Sequence, residues 1–74
     1  MKITIAQQNK KIQIVFKDKN LEKNFVVDKS DEFLECADKL KLPAENWKNA
    51  RVEFKNAGLL TERIIRVIIL GLSF

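Results

Sequence analysis

Four carboxylates, Asp31, Glu32, Glu35 and Asp38, surround the only cysteine, Cys36, in the stretch SDEFLECADK. Two chemistries are open to such a set. Paired carboxylates can do acid–base work, and a thiolate can act as a nucleophile. Neither finds the helper it needs. The chain has no histidine, which removes the commonest acid–base group and the usual activator of a thiol. Cys36 also falls in helical register with Phe33, Ala37 and Leu40, an apolar stripe where a thiol packs as a small hydrophobe. The carboxylates stand near the start of the same expected helix, where they complement its dipole and face water. A structural zinc site takes Cys and His ligands in a set of about four, and a lone cysteine does not supply it. The same count excludes a disulfide within the chain. The two glycines, Gly58 and Gly71, are isolated, so neither GxGxxG nor GxxxxGK[ST] occurs. The expectation is a non-catalytic protein with no cofactor and no metal.

The chain has 74 residues, enough for one domain, 1–74, with a modest core. Without disulfide or zinc, tight packing or self-association must hold it together. Apolar residues make up 46% and charged residues 32%, which are globular values. The net charge of +4 is unevenly placed: residues 1–29 hold seven lysines and three carboxylates, whereas residues 30–74 hold seven of each sign. A basic segment of this kind suits a polyanion partner. Lysines also guard exposed strand edges against aggregation, and that reading stands beside the first. The beginning, MKITIAQQ, alternates at once and has no apolar leader run. The run RIIRVIILGLSF is too short for the about 20 apolar residues of a membrane span, and it carries Arg63 and Arg66. No membrane role and a cytoplasmic location are expected.

Period two marks three strands. KITIA (2–6) puts Ile3 and Ile5 on one face, KIQIVFK (11–17) puts Ile12, Ile14 and Phe16 inward, and KNFVVD (23–28) does the same with Phe25 and Val27. QQNK and KDKN are the turns between them. After Asp28 the period changes. Ser30 is the expected cap of a helix over 31–41, with Phe33, Cys36, Ala37 and Leu40 on its apolar side. Pro43 opens a second helix over 43–57, in which Trp47, Ala50, Phe54 and Ala57 keep a three-to-four spacing and Gly58 is the C-cap. For residues 61–72, four isoleucines, a valine and Gly71 favour a strand buried on both faces; a helix is the alternative. The expected fold is α+β: an antiparallel-rich sheet in the order β-β-β-α-α-β, with two helices on one face.

The helix pair has a further reading. ADKLKLPAENWKNA resembles a helix-turn-helix of the winged-helix kind. Ala37 fills the close-crossing position and Cys36 the small apolar place before it. Leu40 and Leu42 flank the turn, and Trp47 and Ala50 supply the apolar side of the second helix. FKNAGLLTER is similar to the end of the DNA-reading helix and the first wing strand, and KNFVV to the strand that precedes the pair, so the resemblance covers residues 24–70. Lys41 stands where the family has glycine in the turn, and no wing-tip turn occurs between Arg63 and Leu70. The resemblance implies a second helix in the major groove of duplex DNA. Lys48, Asn49 and Arg51 would be on its outer side, with Asn46 near its start. Lys10, Lys11, Lys17, Lys19 and Lys23 would add phosphate contacts.

Two functions are therefore expected. One is a small basic DNA-binding protein, an accessory regulator that could work as a homodimer. The other is a protein-interaction module, such as an inhibitor, adaptor or small subunit, that pairs with a protein partner through a sheet edge. Val15 and Val26 suit the second, because both point away from the inner side chains of their strands.

Overall fold

The computed structural model describes all residues, Met1–Phe74. Three strands form a meander: β1 (Lys2–Gln8), β2 (Lys11–Asp18) and β3 (Leu21–Val27). A 3-10 turn (Ser30–Glu32) leads into helix α1 (Phe33–Leu40). Helix α2 (Ala44–Lys48), strand β4 (Arg51–Lys55) and helix α3 (Leu59–Leu72) follow. The sheet order is β3-β2-β1-β4. The meander pairs are antiparallel, and β4 joins the outer side of β1 in parallel. The α+β class and the antiparallel-rich sheet match the sequence reading.

The first turn explains the register. Asn9 and Lys10 both have positive φ, 49° and 67°, which is the geometry of a tight two-residue hairpin loop whose twist matches its strands. Gln8 therefore faces Lys11, and Ile3, Ile5 and Gln7 share a face with Phe16, Ile14 and Ile12. Phe25 and Val27 of β3 and Val52 and Phe54 of β4 extend the same face. Phe16 is its centre. Its ring lies 5.5 Å from Phe33 and, edge-on, 5.9 Å from Phe25 and 6.0 Å from Trp47. Phe33, Cys36 and Ala37 of α1, Trp47 of α2 and Ile65 of α3 close the core over this one face. The opposite face carries no helix.

Several expected boundaries are corrected. Ser30 is not the cap: the chain enters the 3-10 turn through Lys29. Glu32 Oε2 accepts from the backbone N–H groups of Asp28 and Lys29, each at 2.8 Å. The helix expected over 43–57 is only the five residues of α2. After Asn49 the Arg51 N–H donates to the Met1 carbonyl at 2.8 Å, which draws RVEFK into the sheet. There Val52 and Phe54 turn inward and Arg51, Glu53 and Lys55 turn out. Gly58 is accordingly the N-cap of α3, with φ −68°, and not a C-cap. Residues 61–72, expected as a strand, take the helical alternative. Thr61, Ile65, Ile68 and Leu72 recur at helical spacing and face the core, and this burial outweighs the strand preference of the isoleucines. Lys41 adopts the left-handed conformation at the end of α1, with φ 51° and ψ 42°, at the position where glycine would be free of cost.

Candidate functional site

The acidic helix start resolves into separate roles. Glu32 ties down the chain entering the turn, while Asp31, Glu35 and Asp38 are exposed. No three Cys, Asp or Glu side chains converge as metal ligands do. Cys36 is buried between α1 and the sheet, and this burial pushes its thiol above the ordinary range, away from the reactive thiolate.

The residues proposed for nucleic acid do not gather on one helix face. Asn46 and Lys48 lie on α2, which is too short to reach along a groove. Asn49 ends that helix, and its side chain donates to the Glu45 carbonyl at 3.3 Å. Arg51 is on β4 and faces the bare side of the sheet. Lys10 and Lys19 sit in the two meander turns. Lys23 shares the inner side of β3 with Phe25, at the edge of the sheet.

Three of the cations do assemble with two that the sequence reading missed. Register places Lys17, Lys2 and Arg51 in one row across β2, β1 and β4. Lys11 and Lys55 project from the same bare face. Lys2 pairs with Glu53 at 3.4 Å, and Lys11 with Asp28, which holds the Lys11 ammonium above its usual range through their hydrogen bond. Besides Asp28, Glu22 and Glu53 are the strand carboxylates on this face. The alternation RVEFK was the signal for Arg51 and Lys55; it was hidden by reading Phe54 as a helical position.

A second surface lies on α3. Leu60, Val67 and Leu70 are 71%, 67% and 62% exposed, and with Arg63 they form a ridge at spacings of three, four and three residues. Phe74 continues that spacing just past the helix and is also exposed. Beside the ridge, between α3 and α1, runs a groove of about 490 Å³. Leu34, Ile64 and Ile68 line it together with the ridge residues Leu60, Arg63 and Val67, so the ridge is one wall of the groove, and Asp31 lines it as well. Asp31 and Arg63 form no ion pair with each other, and Arg63 has none elsewhere in the chain. Arg66, on the other flank, is spoken for: it pairs with Glu62 at 3.0 Å and lies 5.0 Å from the Phe54 ring.

The sheet edges are less available. β4 is short, and on β3 the inward-side Lys23 and the Lys39 ammonium, 5.9 Å from the Phe25 ring, place charge beside the open strand. No helix is long and apolar enough to cross a membrane. No protein-family model, curated protein or solved structure matches the chain.

Proposed function

We propose that this chain is a non-catalytic protein-interaction module that docks its partner on the outer ridge of α3. One observation carries the reading: α3 is apolar on two sides, and its own fold covers only one. Ile65 is fully buried, yet Leu60, Val67 and Leu70 on the other side stand in water. A helix with apolar residues on a second, uncovered side has a further surface to bury, and a ridge flanked by charge suits a protein partner. The sequence pointed instead to a sheet edge; the charges guarding β3 move the weight to the helix. The role would be that of a small subunit, adaptor or inhibitor. A photo-cross-linking residue placed at Val67 tests it in the host cell. Discrete protein adducts from Val67 and none from Asn24, on the bare sheet face, are expected. Equal labelling at both, or none at either, ends the proposal.

A second reading, duplex DNA binding, is favoured by the row Lys17, Lys2 and Arg51. On this reading the sheet face takes the role expected of a helix, and the contacts are to phosphates, which carry no sequence information. Titration of random duplex DNA at low and moderate salt decides it. Each phosphate contact lowers log K by about 0.9 per decade of salt, and reversing Lys2, Lys17 and Arg51 to Glu should abolish binding. Absence of binding at low salt removes the reading.

A further inference from the structure

The ridge of α3 is also one wall of the groove, so a single surface offers both a projection and a hollow. We infer that the partner on α3 is a second copy of this chain, related by a two-fold axis, with the ridge of each copy seated in the groove of the other. This deepens the interaction-module reading and rests on it.

Three observations support a second copy over any other occupant. The first is shape and spacing. Leu60, Arg63, Val67 and Leu70 keep the three-four-three repeat by which one helix packs along another. Leu34, Ile64 and Ile68 lie in the hollow that Leu60, Arg63 and Val67 border on the same molecule. An isologous contact needs both halves on one surface, because each residue meets its counterpart's neighbour twice.

The second is charge. Arg63 interrupts the apolar ridge and has no carboxylate of its own. Asp31, on a different element, stands unpaired in the lining of the groove. When the ridge enters the groove of the second copy, Arg63 arrives at that copy's Asp31, and symmetry makes the pair twice. Within one chain these two residues remain apart; between two chains both find a partner.

The third is exposure. Leu34, Leu60, Val67, Leu70 and Phe74 are all exposed by more than two-fifths. Large apolar side chains exposed together in this way mark an interaction site. Gly71, in the last turn of α3, is exposed and has open space where a Cβ would stand. The absence of a side chain there lets a second backbone come close.

The test is light scattering of the full chain from about 1 µM to about 1 mM, the range that spans weak to moderate association. A monomer–dimer equilibrium is expected. Val67→Glu should abolish it and leave a folded monomer, because Val67 is 67% exposed in its own chain. Asp31→Arg and Arg63→Asp should each weaken the dimer by about tenfold or more, through like charges brought together. The double exchange, D31R with R63D, should restore it. A monomer at every concentration, a dimer indifferent to Val67→Glu, or a double variant no better than the singles overturns the inference. If the chain is monomeric yet Val67 forms adducts with a different protein, the second copy is wrong and the docking reading survives. If neither dimer nor adducts form, both are wrong.

Discussion

Thr61 and Gln7, 54 positions apart, are joined by a hydrogen bond: Thr61 Oγ1 donates to Gln7 Oε1 at 3.2 Å. The same oxygen accepts from the Gly58 N–H at 3.1 Å. Gln7 lies on the inner side of β1, in line with Ile3 and Ile5, and so reaches the first turn of α3. One side chain of the sheet thus serves as the cap that the helix lacks in its own sequence.

Replacing Gln7 by Ala should therefore destabilise the fold by about 1–2 kcal/mol, since the Thr61 hydroxyl is buried and loses its acceptor. Gln7→Glu keeps an acceptor beside the positive end of the helix and should cost less. Urea titration followed by circular dichroism measures both. Equal stability of the Ala variant and the parent would refute the capping role.

Phe16 touches three other rings and is fully buried. Phe16→Ala should cost about 3–5 kcal/mol. A domain of this size holds only about 4–11 kcal/mol in total, so the variant should be largely unfolded at 37 °C. Phe16→Leu keeps most of the volume and should fold with a lowered midpoint. A cooperative thermal transition for the Ala variant close to that of the parent would contradict the placement of the core.

Lys41 and Lys10 both hold positive φ. Glycine adopts that conformation without strain, so Lys41→Gly and Lys10→Gly should each raise stability by up to about 1 kcal/mol. Glycine at Lys39, inside α1, should do the opposite by a similar amount. Thermal melts of the three variants settle the signs.

Burial raises the Cys36 thiol above its unfolded value. A group raised on folding contributes stability that is complete below the unfolded value and is lost as pH climbs through the folded one. Stability should hold to about pH 8.5, the ordinary thiol value, and decline above it through Cys36. Cys36→Ser removes the titrating thiol and should flatten that alkaline decline. A thiol reagent at pH 8 should label the folded chain slowly and the urea-unfolded chain at once; rapid labelling of the folded chain would contradict the burial.

The meander and α1 were legible because each buries one face, so Ile12, Ile14 and Phe16, or Phe33, Cys36 and Ala37, write their period directly into the sequence. Residues 43–57 misled because Trp47, Ala50 and Phe54 reach one core from different elements. Three inward residues on a short helix, a connection and a strand happen to fall at helical intervals. The alternating RVEFK inside that stretch was the truer signal. Residues 61–72 misled for another reason. The exposed side of α3 is largely apolar too, and Ile69 falls within its one polar stripe, so the period was blurred and isoleucine content was left to decide. The basic row on the sheet was invisible for lack of β4: Lys2 and Arg51 become neighbours only through that pairing. The cap from Gln7 had no local signal at all.

The parallel seating of β4 beside β1 has a consequence for how the chain acquires its shape. β1 has its hairpin partner as soon as residues 11–18 exist, but its other flank stays open until residues 51–55 return to it. A ribosome releasing this chain would hold out a three-stranded ribbon with the β1 border raw until residues 51–55 emerge, and closure of that border is the long-distance event that should set the pace of folding. Stopped-flow refolding should find the meander gathered early and the Phe54 environment fixed last.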